Sequence, residues 1–220
     1  KRFGLTDADM EFLAPSTKVK AIDIRQNRKL GSHTLEILSN RFPNLESLSL
    51  HGCEPAVLSG LTTLGENSKN LKRIMLSYDD SRSCANIVAF LRQSGGRLEA
   101  LCIAEFSVTT HEELPEVVAA SCPRLKRLAL PWYYRLTDHQ LYEIIKACPE
   151  LTTLHINARR ISPVHVGQLL QSNPNLNLRC YGYDSQFGIL EWKTLKSEYG
   201  DRVEFEYSVR PWCNDELARS

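Results

Sequence analysis

The sequence predicts an α/β solenoid, a right-handed horseshoe segment of about eight strand–helix units whose strands form one parallel, concave sheet. The first observation is a phrase, Leu-x-x-Leu-x-Leu, that returns at an almost constant interval. Val19 opens "VKAIDI", Leu45 "LESLSL", Leu71 "LKRIML", Leu98 "LEALCI", Leu125 "LKRLAL" and Leu151 "LTTLHI", at steps of 26, 26, 27, 27 and 26 residues. Leu176 and Val203 continue the series at 25 and 27 in degenerate form. Self-similarity at such a period marks an array of small units that bury their apolar sides against one another. The second observation is the helical spacing of the stretches between phrases. A strand and a helix in so short a unit leave two brief connections, so successive strands lie parallel and adjacent with the helices on the other side. Helices are about 10 Å wide and strands about 4.8 Å apart, and the stack therefore curves with the strands inside.

Each element has its own signal. The last three positions of a phrase alternate inward and outward, as in Leu48-Ser49-Leu50 and Leu128-Ala129-Leu130, which is the pattern of a half-buried strand. "LTDADMEFLAP" opens the chain as a repeat helix. "SHTLEILSNRF" puts Leu35, Leu38 and Phe42 on one stripe, and "TDHQLYEIIKAC" does so with Leu141, Ile144, Ile145 and Cys148. Ser32 and Thr137 stand as N-caps, and Ser162 precedes Pro163 at a first helical position. Cys122-Pro123 and Cys148-Pro149 end their helices, a slot that Phe42-Pro43 and Asn173-Pro174 fill elsewhere. The slot therefore calls for a small or apolar helix end and not for a reactive sulfur. "GILEWKTLKSEYG" reads as a last helix and "RVEFEYSVRPWC" as a strand with an extension. Residues 1–220 are read as a single domain: regular repeats over about 5–180, then an irregular final unit and cap over 181–220 holding Trp192 and Trp212.

"CPRLKRLAL", "CPELTTLHI" and the "LTD" at 5–7 and 136–138 carry a resemblance to a known family. The chain is identified as a leucine-rich repeat protein and resembles the cysteine-containing subclass, best known from the substrate-binding arms of F-box proteins. The resemblance spans nearly the whole chain. It departs in one respect, because the Cys or Asn usual just after the strand occurs only as Cys53; the other units read "YDD", "EFS", "WYY" and "NAR" there. The resemblance implies a non-catalytic recognition domain that takes a protein partner on its concave face. A ubiquitin-ligase core would then be engaged through a segment before Lys1, since the chain opens Lys-Arg-Phe-Gly without an initiator Met and reads as an excised or processed fragment. The alternative implied by the same repeat subclass is a free-standing scaffold or assembly factor, for example in mitochondria.

Composition limits the remaining classes. With 27 basic against 26 acidic side chains the formal net charge is +1, too small to attract nucleic acid or anionic lipid to the molecule as a whole. No run of about 18 apolar residues marks a membrane span. Seven scattered cysteines without a C-x-x-C pair disfavour a disulfide scaffold or a zinc site and fit buried, reduced thiols in a cytoplasmic or nuclear setting. The six histidines fall in different units, there is no Ser-His-Asp neighbourhood, and "SGGR" at 94–97 leaves a helix where a phosphate cradle would enter one. No enzyme, metal or cofactor is expected. Lys72, Arg73, Lys126, Arg127, Arg135, Arg159 and Arg160 form a basic stripe, but Glu46, Glu99, Asp79 and Asp80 interrupt it, which disfavours nucleic acid.

The candidate contact residues follow from register. Outward strand positions form columns: Ala21, Ser47, Arg73, Ala100, Arg127, Thr153; then Asp23, Ser49, Met75, Cys102, Ala129, His155; then Arg25, His51, Ser77, Ala104, Pro131, Asn157. Arg73 and Arg127 flank Ala100 at roughly 10 Å, a spacing suited to an anion. Beyond the strands lies a loop rim: Tyr78, Asp79, Phe106, the cluster Trp132-Tyr133-Tyr134-Arg135, and Arg159. Trp, Tyr and Arg dominate interface hot spots because they join large apolar area to a polar handle. One ring must turn inward to seal the loop, with Tyr134 or Trp132 as the expected choice. The predicted recognition set is thus Arg73, Met75, Tyr78, Asp79, Phe106, Arg127, Trp132, Tyr133, Tyr134, Arg135, His155 and Arg159.

Overall fold

The computed structural model describes residues 4–78, 81–105, 113–182 and 189–206. Helices and strands alternate through it. They are α1 (Asp7–Met10), β1 (Ala21–Asp23), α2 (His33–Arg41), β2 (Ser47–Ser49), α3 (Leu61–Asn67), β3 (Arg73–Tyr78), α4 (Ser81–Ser94) and β4 (Ala100–Glu105). There follow α5 (Leu114–Ser121), β5 (Arg127–Leu130), α6 (Asp138–Ala147), β6 (Thr153–Asn157), α7 (Pro163–Ser172), β7 (Asn177–Tyr181), α8 (Ile189–Tyr199) and β8 (Val203–Glu206). The eight strands make one sheet in sequence order, every neighbouring pair parallel. The fold is the α/β solenoid that the repeat predicts.

The expected register holds residue by residue. Ala21 pairs with Ser47, Ser47 with Arg73, Arg73 with Ala100, Ala100 with Arg127 and Arg127 with Thr153. The next position inward, Leu48, Ile74, Leu101, Leu128 and Leu154, is no more than 1% exposed anywhere in that run. A parallel ladder sets these side chains about 4.8 Å apart, so each aliphatic chain lies against its counterparts above and below. Slipping a strand by one residue would turn its whole apolar set to the other face, and burial of one face therefore fixes the pairing.

A second ladder reinforces it. The position after the opening aliphatic residue reads Lys20, Glu46, Lys72, Glu99, Lys126, alternating in sign from one strand to the next. Lys20 Nζ lies 2.8 Å and Lys72 Nζ 3.9 Å from Glu46, while Lys126 Nζ lies 3.3 Å from Glu99 and 3.9 Å from Glu150. The Lys20 ammonium, hydrogen-bonded to Glu46, holds that carboxyl below its ordinary range. A one-unit slip would set like charges opposite each other. The backbone beneath is equally regular: the carbonyls of Lys20, Glu46, Lys72, Glu99 and Lys126 each accept two N–H groups from the following unit.

The helix ends bear out some expectations and correct one. Thr137 caps α6 in a full capping box with Gln140. Phe42, Cys122, Cys148 and Asn173 are the C-caps of α2, α5, α6 and α7. Ser32 precedes α2, but its backbone is already helical and its side chain makes no capping bond. Asp7, from the previous unit, instead braces the entry to α2, accepting from the Gly31 N–H at 2.7 Å and from the Thr34 hydroxyl. A Cβ on Gly31 would stand 2.7 Å from Asp7 Oδ2, so the residue there has to be small. Asp138 repeats the device, accepting from the Ser162 N–H at 2.9 Å. The aspartate of each "LTD" is thus a tie between consecutive units.

Thiols serve as packing and as weak donors. Cys148 Sγ donates to the Cys122 carbonyl at 3.3 Å, and Cys53 Sγ to the Ile24 carbonyl at 3.0 Å, each reaching back one unit. Burial pushes the Cys122 thiol up to about 12, with a further rise from Cys148, and pushes the Cys148 thiol up to about 11. Neither supplies a thiolate at neutral pH. Cys53, Cys84, Cys122, Cys148 and Cys180 are thiols, not half-cystines. Cys102 is disulfide-bonded, an exception to the reading of reduced thiols. At the far end Trp192 is 1% exposed and meets Phe205 edge-on at 5.5 Å, closing the last layer between α8 and β8. Trp212 lies outside the described residues. Among the described residues no helix is long and apolar enough to cross a membrane.

Candidate recognition surface

The outward face of the sheet differs along its length. In its middle column Met75, Cys102 and Ala129 are at most 1% exposed and form a small apolar cluster separate from the main core. Ser49, 5% exposed, donates its hydroxyl to Met75 Sδ at 3.2 Å. Met75 is therefore an interior residue and not the open contact predicted for it. His155, next in the column beyond Ala129, is also buried, beside the Tyr181 ring at 6.4 Å. Desolvation, with help from the nearby Arg179 guanidinium, holds its imidazole down to about 3, so it is neutral at physiological pH. Arg73 and Arg127 stay half-exposed on either side of Ala100, as their register requires.

The aromatic loop after β5 is arranged differently from expectation. The ring that turns inward is Tyr133, 2% exposed and part of the main core. Its N–H donates to the Leu130 carbonyl at 3.2 Å, a tight turn that aims the second residue after Pro131 back toward the helices. Trp132 and Tyr134 flank it and meet edge-on at 6.2 Å and 70°, Trp132 half-buried and Tyr134 39% exposed. Arg135 is exposed beside them. In the next unit Asn157 is buried and accepts from the Arg159 N–H at 3.1 Å, pinning a turn that leaves Arg159 and Arg160 in solvent. Asp79 and Phe106 lie outside the described residues, as does the Tyr78 side chain. Of the predicted set, then, Trp132, Tyr134, Arg135 and Arg159 lie on one flank of neighbouring units, Arg73 and Arg127 on the sheet, and Met75, Tyr133 and His155 inside.

Lys72 and Lys126 of the basic stripe are engaged by the glutamate ladder. Among the described residues no three His, Cys, Asp or Glu side chains come together as a metal site. Sequence reasoning missed a group at the C-terminal end of the sheet. Thr153 pairs with Asn177, His155 with Arg179 and Arg179 with Glu204, so both columns run on past the sixth unit. The signal was present in "LNLRC", but that unit is one residue short between its first two leucines, which puts its outward positions one place out of step with the phrase.

No protein-family profile matches this chain, and no curated protein matches it. Among solved structures it is similar to one described as the crystal structure of the Rad7 and Elc1 complex in yeast. The identity is 14% and the TM-score 0.39, over 94% of this chain and 82% of that one.

Proposed function

We propose that this chain is a non-catalytic protein-recognition domain, the substrate-selecting arm of an F-box-type ubiquitin ligase subunit. The observation that supports it most is the flank of the eight-stranded sheet where Trp132, Tyr134, Arg135 and Arg159, from neighbouring units, leave rings and cations at the surface. Rigid scaffolds carry recognition on such loops. The cysteine-containing repeat phrase supplies the ligase part of the reading.

Affinity purification of the natural protein from its own cells tests both parts. The wild type is expected to co-elute with a cullin–RING core and with a client protein. The double variant Trp132→Ala, Tyr134→Ala should keep the core and lose the client by roughly ten-fold or more, as hot-spot aromatics do. Client capture unchanged by the variant would overturn the surface, and a client that co-elutes without any ligase core would overturn the ligase assignment.

A further inference from the structure

Between helices α7 and α8 runs a groove of about 350 Å³. Gly167 keeps it open. A Cβ there would stand 3.3 Å from Leu195 Cδ2, so a larger residue would fill the space that glycine leaves between the helices. Pro163 and Leu195, both buried, complete the floor. The Tyr199 hydroxyl ties the helices together at one end, donating to the Gly167 carbonyl at 3.0 Å. Val164 stands on the lip, 69% exposed, where a helix face turned to water ordinarily carries polar residues.

The charge along this groove has one sign. Glu191 and Glu198 of α8 line it, both exposed, and no Lys or Arg does. Seven residues apart on one helix, the two carboxylates share a face and lie about 10 Å from each other along the axis. Among the described residues neither is in an ion pair. The cations of the turn that follows are held by backbone. Lys196 Nζ donates to the Gly200 carbonyl at 2.8 Å and lies 3.8 Å from Asp201. Arg202 lies 5.6 Å from the centre of the Tyr199 ring, but its donors go to the carbonyls of Leu176, Leu170 and Asn173 at 3.2, 2.8 and 2.6 Å.

We infer that this groove docks a basic amphipathic helix of a partner protein, one that carries an aliphatic pair between two Lys or Arg residues seven positions apart. A helix presents residues i, i+3, i+4 and i+7 on one stripe. The aliphatic pair at the middle positions meets Val164, Gly167 and Leu195, and the flanking cations reach Glu191 and Glu198. Seven residues rise equally on the docked helix and on α8, so the charges fall in step. An extended strand covers that distance in three residues, and positions three apart on a strand face opposite ways; one of its cations would point to water. An acidic helix is repelled by both carboxylates. The groove shares no residue with the aromatic loop, so this contact is separate from the client surface proposed above.

The test is an NMR titration of the 220-residue chain at low salt with a capped peptide of repeated Lys-Ala-Ala-Leu-Leu-Ala-Ala units. One control peptide replaces each Lys by Glu, and a second replaces each Leu by Ser. The basic apolar peptide should give saturable shifts at the amides of 163–168 and 191–199, and both controls should bind far more weakly. The double variant Glu191→Gln, Glu198→Gln should weaken it about three-fold or more, a gap that closes as salt screens the exposed pairs. Val164→Lys should weaken it about ten-fold or more, the worth of burying a valine. All three positions are exposed, so both variants keep the fold, which their unliganded spectra check. No saturable response, an equal response to either control, or indifference to both variants would each overturn the groove. Concentration-dependent shifts at the same amides without peptide would make a second copy of the chain the occupant and overturn it too. The Trp132→Ala, Tyr134→Ala protein should bind the peptide as the wild type does, so the client surface and the groove stand or fall apart.

Discussion

Leu128→Ala is expected to destabilise the fold by about 2–5 kcal/mol, measured by urea unfolding, as the loss of a fully buried leucine does. Leu128 has no exposed surface, and its ladder neighbours Leu101 and Leu154 are equally enclosed. Strand spacing is held by backbone hydrogen bonds on both sides, so the sheet cannot close in on the space that three missing carbon atoms leave. Near-neutral stability would mean that Leu128 does not face the helices and that the inward–outward register is wrong.

Acidification from pH 7 to pH 5 is expected to cost about 2 kcal/mol through His155 alone. Its folded-state value, held down to about 3 by burial, lies below the unfolded value of about 6.5. Below that unfolded value the open chain takes up a proton that the folded chain refuses. Stability from this group is therefore complete above about pH 6.5 and falls as the pH drops toward 3. His155→Gln removes the titration; its unfolding free energy should change by about 2 kcal/mol less than that of the wild type over the same interval. Parallel pH profiles for the two proteins would show that His155 is not buried as described.

Much of this architecture was legible because a repeat prints the same physical requirement many times. One leucine is ambiguous, but six phrases in step fix strand direction, register and the inward face, down to the pairing of Arg73 with Ala100. The Cys-Pro slots were legible for the same reason, since Phe42 and Asn173 occupy them too. What occurs once was not. The aromatic triplet Trp132-Tyr133-Tyr134 stands in one unit; the turn that sends Tyr133 inward, closed on Leu130, is made in the second unit by Cys53 on Leu50, where there is no ring to compare. Met75 and His155 are buried on the outward face, a tertiary property that alternation along a strand does not encode. The ties from Asp7 to Gly31 and from Asp138 to Ser162 span 24 residues and were hidden behind a plausible local cap at Ser32.

The most direct test of the recognition account is backbone hydrogen–deuterium exchange of the chain with and without its co-purified client. Binding should slow exchange in the loops 131–136 and 157–161 and at the starts of β6 and β7, leaving α2–α6 unchanged. Protection confined to those helices, with the aromatic loop and the strand ends unaffected, would contradict it.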